Sequence, residues 1–144
     1  MSTTGLEAFD KTLQLTHIWL DEISDKVGPD RHVAWRVLGA VLHVLRDRLP
    51  VDLSAHFGAQ LPLLVRGLYY DRYEPSKQPS KIASAEDFAE QVAELLEDSR
   101  PMRPELAVKT VFAMLSRHLS AGLLDNVRLA LPQSIRALWP EMAD

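Results

Sequence analysis

The chain has 144 residues, 47% hydrophobic and 25% charged, which is typical of one globular domain that buries its own core. The formal net charge of −4 is spread over both halves, so a basic nucleic-acid-binding surface is not expected. The lack of cysteine excludes disulfides, thiolate nucleophiles and zinc ribbons, and no apolar run is long enough for a membrane span, which predicts a cytoplasmic protein.

The first predicted helix covers residues 6–27. Its apolar residues fall three and four positions apart, with Thr16 filling one step, and so lie on one helix face: Phe9, Leu13, Leu20, Ile23 and Val27. Thr4 and Glu7 have the spacing of a capping box at the start of this helix. Gly28, followed by proline, provides the end.

Three more helices are predicted in the first half of the chain. Asp30 is a good N-cap for a long apolar helix that Pro50 ends. Asp52 is expected to cap a short helix, and Pro62 opens another amphipathic segment.

The second half of the chain begins with a predicted loop over residues 71–83, which combines two prolines with polar residues. Ser84 caps the next helix, whose inward-facing residues are Phe88, Val92 and Leu96. Pro101 and Pro104 mark a turn before a further series of apolar helical segments, which Pro140 closes. Because no segment alternates like a strand, the sequence predicts an all-α protein.

An internal repeat is the strongest pattern in the sequence. Leu61-Pro62 and Leu131-Pro132 lie 70 positions apart, and this ungapped offset gives eight identities in the 32 pairs from 38/108 to 69/139. A leucine stripe can match itself by its period alone, but matched proline and arginine positions cannot be explained that way. We expect a single domain over 1–144.

This domain is predicted to be a compact helical bundle built from two tandem repeats of about 70 residues, related by a pseudo-two-fold axis. The first unit covers about 5–70 and the second about 84–140, with the loop 71–83 between them.

Several short motifs resemble a bacterial family known as domain of unknown function 2267. They are LRDRLP over 45–50, QLP over 60–62, RGLYYD over 66–71, LP at 131–132 and IRALWP over 135–140. The resemblance covers nearly the whole chain. It implies an all-helical fold and a bacterial source, and it brings no activity, substrate or catalytic residue.

Arg66 and Arg136 occupy equivalent positions of the two repeats and have two interpretations. Their guanidinium groups could converge on one anion, since this group holds carboxylate or phosphate through two hydrogen bonds. Alternatively, each arginine stabilises its own unit by binding helix-end carbonyl groups or an acidic side chain such as Asp47. The second interpretation is simpler, because a residue present in both units is explained by packing within the unit.

Tyr70, Tyr73 and Arg72 belong to an aromatic and basic cluster around the predicted loop, together with Lys77 and Lys81. Such a cluster can stack on a ring and neutralise a phosphate. The alternative is a solvated loop anchored by a tyrosine. Tyr69, at the position that matches Trp139, is expected in the core.

No pattern in the sequence indicates catalysis, a cofactor or a metal site. His43 and Asp47 are four residues apart on one helix, but no His-Glu-x-x-His motif, glycine-rich phosphate loop or nucleophile elbow is present. We therefore expect no cofactor, no membrane partner and no nucleic-acid partner. An enzyme ranks third among the interpretations of function.

The leading hypothesis is a small interaction or regulatory module that acts through a surface, with a protein partner or a second copy of itself. The alternative is an anion- or nucleotide-binding protein with its site at the junction of the two repeats. The residues proposed for that site are Arg66, Arg136, Tyr70, Tyr73 and Arg72.

Overall fold

The computed structural model describes residues 3–96 and 103–141, and all regular secondary structure in these ranges is helical. The α-helices are α1 (Glu7–Val27), α2 (Arg31–Arg48), α3 (Val51–Ala59), α4 (Leu63–Tyr70), α5 (Ala85–Leu95), α6 (Pro104–His118), α7 (Ala121–Ala130) and α8 (Gln133–Arg136). A 3-10 turn at Pro75–Lys77 lies between α4 and α5. The prediction of an all-helical protein is confirmed.

Two of the predicted N-caps are confirmed. Asp30 accepts a hydrogen bond from the backbone N of His32 at 2.8 Å, and Ser84 accepts one from the backbone N of Asp87 at 3.0 Å. Each side chain thereby satisfies one of the backbone N–H groups that the first turn of a helix leaves without a partner. These caps fix the starts of α2 and α5.

The other two predicted caps are wrong. Leu6 is the N-cap of α1 and makes no side-chain cap hydrogen bond, so Glu7 lies two residues too early for a capping box. Thr4 instead donates from Oγ1 to Asp10 Oδ1 at 2.8 Å. Asp52 lies inside the first turn of α3, because Pro50 is the N-cap and the helix begins at the next residue.

The core lies between α2 and α6, which contact each other and both α1 and α5. Apolar residues are buried along most of α2: Val37, Leu38, Val41, Leu42 and Leu45. The buried residues of α6 include Val108, Val111, Phe112, Met114 and Leu115. A helix that is apolar on most of its faces is stable only when other helices surround it, and α2 and α6 are the two that the bundle encloses.

The remaining helices interleave the two halves of the chain around this core. α3 contacts α7, α4 lies against α1, α2 and α3, and α8 lies against α5. Since α1 packs on α6 and α5 packs on α2, neither half of the chain buries its helices alone. The pseudo-two-fold axis between two repeats stays a prediction.

The N-terminal half of α1 does not reach the core. Trp19, Leu20 and Ile23 are buried, but Phe9 is 52% exposed and Leu13 is 36% exposed. The first two members of the predicted apolar stripe lie outside the core, because the neighbour of this half of α1 is the eight-residue helix α4. The contact between the two helices includes a hydrogen bond from Leu64 N to Thr12 Oγ1 at 2.8 Å.

Within the described ranges, no helix has both the length and the apolar character needed to cross a membrane. The predicted turn at Pro101 lies outside the described residues, and α6 begins at Pro104.

Candidate functional site

Arg66 binds three backbone carbonyl groups around the end of α3. It donates from Nε to Gly58 O and from Nη2 to Ala59 O and Leu61 O, all at 3.0 Å. The last carbonyl groups of a helix have no partner within the helix, so the guanidinium group supplies the missing donors. These contacts agree with the interpretation in which the arginine stabilises its own unit.

Arg136 makes the corresponding contacts at the end of α7. It donates from Nε to Arg128 O at 2.9 Å and from Nη2 to Leu131 O at 3.1 Å. Both acceptors lie 70 positions after acceptors of Arg66. Among the described residues, no hydrogen bond links the two arginine side chains to a common group.

The tyrosines of the predicted cluster pack on the protein itself. The ring of Tyr70 meets that of Tyr69 edge-on with centres 5.0 Å apart, and its centre lies 5.8 Å from that of Tyr73. The Tyr73 hydroxyl donates a hydrogen bond to Gln78, and burial raises the pKa of Tyr73. Tyr69 is fully buried, as expected because it matches Trp139 in the sequence repeat.

Arg72 lies apart from Arg66 and Arg136. It has a positive φ of 58° and lines a small cleft of about 260 Å³ between α2, the segment after α4 and α5, together with His43, Asp47 and Ser80. Neither Tyr70 nor Tyr73 lines this cleft. The residues proposed for one ligand site thus do not line one common cleft.

Arg46 is the polar residue that sequence reasoning missed. Its side chain is 3% exposed, and Nη1 donates to Tyr69 O at 2.6 Å and to Asp71 O at 2.9 Å. Nε forms an ion pair with Asp47 Oδ1 at 2.9 Å. Arg46 comes four residues after Leu42 and so lies on the buried side of α2, where a charged side chain must find partners. This position could have identified it from the sequence.

The segment 71–83 is bound to α2 and is therefore not a solvated linker. The side-chain amide of Gln78 donates to Arg46 O and Leu49 O at 2.7 and 2.6 Å. Ser80 N donates to Asp47 O at 2.7 Å, so backbone and side chain both hold the segment. The tyrosine anchor was foreseen, but these bonds to the end of α2 were not.

A basic cleft of about 340 Å³ lies where α1, the start of α4 and the end of α6 meet. It contains three side chains that can carry positive charge, Lys11, Arg66 and His118. The other lining residues are Thr12, Leu15, Trp19, Gln60, Leu61, Pro62 and Leu63. No Asp or Glu is among the described residues that line the cleft, but Glu22, just outside it, contacts His118.

Glu22 holds one wall of the basic cleft in place. It accepts hydrogen bonds from His118 and, at 2.6 Å, from Arg117, and thereby joins α1 to the end of α6. Burial alone would raise the pKa of Glu22, but the hydrogen bonds from His118 and Arg117 outweigh it and hold the pKa below its ordinary value of 4.5. The His118 ring also packs on Trp19, with ring centres 5.4 Å apart.

An apolar groove of about 380 Å³ adjoins the basic cleft. Phe9 and Leu13 of α1 line it together with Leu63 and Leu64 of α4, and Thr4, Thr12 and Gly67 complete the lining. Thr12 and Leu63 line the groove and the cleft, so the two share a wall. The sequence predicts that Phe9 and Leu13 share one helix face, but it does not single out the groove.

The described residues do not assemble metal ligands. No three His, Asp or Glu side chains among them lie close enough to hold an ion. His43 Nε2 lies 2.7 Å from Leu68 O, and Asp47 pairs with Arg46, so both members of the i,i+4 pair are bound elsewhere. Burial lowers the pKa of His43, against the effect of its hydrogen bond to Leu68.

Comparison with known proteins gives a family. Residues 16–138 match the model of the family described as "Uncharacterized conserved protein (DUF2267)". No curated protein matches the chain.

Proposed function

This chain belongs to the DUF2267 family, and from that premise we propose that it is an interaction module that binds an acidic amphipathic helix of a protein partner. The helix would lie in the apolar groove between α1 and α4, and its carboxylates would face the basic cleft. The cytoplasmic location predicted from the sequence is part of the proposal. No catalytic step is proposed.

The observation that carries the proposal is the exposure of four apolar side chains that line one groove. Phe9, Leu13, Leu63 and Leu64 are 52%, 36%, 56% and 42% exposed. Single exposed apolar residues are common, but a group that lines one groove indicates a binding surface. A groove between two helices suits an amphipathic helix with apolar side chains every three or four residues.

The charges beside the groove favour an acidic occupant. Lys11 and Arg66 line the cleft that shares a wall with the groove. Opposite charges across an interface guide association and exclude partners of the wrong sign. A partner with carboxylates beside its apolar face therefore matches this surface better than a basic one.

We propose further that the bundle is one domain formed by two tandem repeats related by a pseudo-two-fold axis. The matching hydrogen bonds of Arg66 and Arg136, 70 positions apart, support this proposal. At that offset Leu63 and Leu64 correspond to Gln133 and Ser134. The second unit is thus polar where the first is apolar, which suggests that the apolar pair serves binding and not the repeat itself.

Selection from a library of displayed helical peptides tests the proposed function. We expect the full-length protein to enrich peptides with apolar residues at i, i+4 spacing and Asp or Glu beside them. In the double variant Leu13→Ser/Leu64→Ser, the affinity for the enriched peptides should fall at least tenfold, because each side chain loses about 1 kcal/mol of apolar contact. Calorimetric titration would measure it.

The matched control replaces two exposed leucines outside the groove, Leu95→Ser/Leu129→Ser. This variant should bind the enriched peptides within about twofold of the wild type, as expected for residues far from the interface. Equal losses in the two double variants, or enrichment of basic peptides, would reject the proposal. A dimer in light scattering that Leu13→Ser/Leu64→Ser dissociates would also reject it, since a second copy would then occupy the groove.

A further inference from the structure

We infer that the basic cleft between α1, α4 and the end of α6 binds a single oxyanion, either a phosphoryl or a carboxylate group. The inference rests on the proposed function only where the oxyanion belongs to a docked partner. A free small anion of the same chemistry would use the same side chains.

Arg66 is positioned to bind an anion by the contacts that stabilise α3. Its Nε and Nη2 are bound to carbonyl groups, which fixes the plane of the guanidinium group at the edge of the cleft. In the described structure Nη1 donates to no protein group. A donor that is already oriented loses little conformational freedom when it binds a ligand.

Lys11 and His118 line the same cleft as Arg66. In residues 3–96 and 103–141, the Lys11 ammonium group forms no ion pair or hydrogen bond. His118 is held by Glu22 and by the Trp19 ring, so its imidazole has a fixed position on the wall. Glu22, which Arg117 also binds, offsets the charge of this imidazole, so Lys11 and Arg66 supply the positive charge that a ligand anion would meet.

The walls and size of the cleft suit a small group. Trp19 and Leu61 are 2% exposed and form an apolar wall, which strengthens charge interactions beside it. A volume of about 340 Å³ is near the lower end of the usual range for small-molecule sites. It accommodates one phosphoryl or carboxylate group with its first waters more readily than a dinucleotide.

The equivalent place in the second half of the chain lacks these features. Arg136 keeps the carbonyl contacts, but the position that matches His118 is Arg48, which donates to Ile82 O at 2.6 Å. Gln60 is matched by Ala130, and α5 is too short to supply a counterpart of Lys11. The carbonyl contacts that both arginines make stabilise the fold. The additional cations lie only around Arg66, and they point to a ligand there.

NMR titration of the ¹⁵N-labelled full chain with inorganic phosphate, at constant ionic strength, tests the inference. We expect saturable shifts of the Arg66 Nε–H, the His118 ring and the backbone amides of Lys11 and Thr12. Lys11→Gln should weaken the Kd for phosphate about tenfold, the effect of removing one charged hydrogen bond. Lys26→Gln is the matched control, because Lys26 is an exposed lysine of the same helix.

The inference fails if phosphate causes no saturable shift up to about 50 mM, far above a weak millimolar Kd, or if the two lysine variants respond alike. A second arm uses acetate, and a third replaces the carboxylates of an enriched peptide by amides. If the protein binds phosphate and the amide replacements do not weaken peptide binding, the site is assigned to a free anion. If the protein binds acetate and the amide replacements weaken peptide binding, the site is assigned to a carboxylate of the partner. Both results support the oxyanion site.

The double variant Leu13→Ser/Leu64→Ser separates this inference from the proposed function. Its phosphate Kd should stay within about twofold of the wild type, because neither residue lines the basic cleft. Phosphate binding in the absence of peptide binding would leave the oxyanion site standing and reject the proposed function. If instead the protein binds the peptide but not phosphate, and Lys11→Gln does not weaken peptide binding, the proposed function stands and the oxyanion site is rejected.

Discussion

The guanidinium carbon of Arg46 lies 4.9 Å from the centre of the Tyr73 ring. One face of this buried cation is thus covered by the segment that follows α4, while Nη1 binds the carbonyl groups of Tyr69 and Asp71. A cation over an aromatic face is stabilised electrostatically, more so where water is excluded. Arg46 therefore links the end of α4 and the segment 71–83 to the central helix.

Replacement of this arginine should cost more stability than replacement of any exposed arginine. In Arg46→Met, Tyr69 O and Asp71 O lose their donor, and we expect the free energy of unfolding to fall by about 2–4 kcal/mol. Arg36→Met, at an exposed site on the same helix, should change it by less than about 0.5 kcal/mol. Urea denaturation of both variants measures the difference. A loss below about 1 kcal/mol in Arg46→Met would contradict the structural role.

A glycine in α3 makes room for a tyrosine of the predicted cluster. A Cβ at Gly58 would stand 2.6 Å from the Tyr70 hydroxyl oxygen, so we expect Gly58→Ala to destabilise the protein by about 1–2 kcal/mol in thermal unfolding. In a Tyr70→Ala background the same change should be neutral or stabilising. Gly67→Ala, with no atom within 4 Å, should stabilise by about 0.5–1 kcal/mol, as alanine does in a helix.

The two matched arginines should contribute independently to stability. Arg66→Met and Arg136→Met each remove hydrogen bonds to carbonyl groups of one unit, and each should lower the free energy of unfolding by about 1–2 kcal/mol. In the double variant the losses should add to within about 0.5 kcal/mol. A coupling energy well above this value, measured by denaturation in phosphate buffer, would favour convergence of both side chains on one anion.

Ionised Glu22 should stabilise the protein, and this stabilisation should be lost in acid. Its pKa in the folded state is lowered below 4.5 by His118 and Arg117, so the unfolded chain binds the proton more tightly. The stabilisation is complete well above pH 4.5 and is lost as the pH falls through the lower folded pKa. Glu22→Gln should therefore show a smaller loss of unfolding free energy between pH 7 and about pH 3.

The control for this prediction is Glu94→Gln, which replaces an exposed carboxylate of α5. Its dependence of stability on pH should follow that of the wild type, measured by urea denaturation at each pH. If Glu22→Gln and the wild type lose stability in parallel over this range, the ion pairs of Glu22 contribute nothing to folding.

The sequence predicts much of the helical frame because its signals are local. The caps at Asp30 and Ser84 and the inward positions of Phe88 and Val92 follow from spacing within one helix. Spacing also placed Phe9 and Leu13 on one face, but it says nothing about which helix covers that face. Only the short α4 lies beside them in the described structure, so they line a groove.

The basic cleft could not be predicted for the same reason. Lys11 and His118 come from α1 and from the end of α6, and nothing in their own segments indicates that they meet. Arg66 was found through the repeat, which gave its structural role and left its surroundings unknown. Arg46 was missed because a charged side chain is expected at the surface, and its partners are backbone carbonyls that carry no sequence signal.

The packing of α1 on α6 has a consequence for synthesis. The ribosome completes α1 long before α6, so Trp19, Leu20 and Ile23 leave the exit tunnel without the helix that covers them. Contacts between distant parts of a chain form slowly, and exposed apolar surface in the interval promotes aggregation. The nascent chain therefore reaches its final arrangement only after α6 has emerged, and until then this face of α1 lacks one of the helices that bury it.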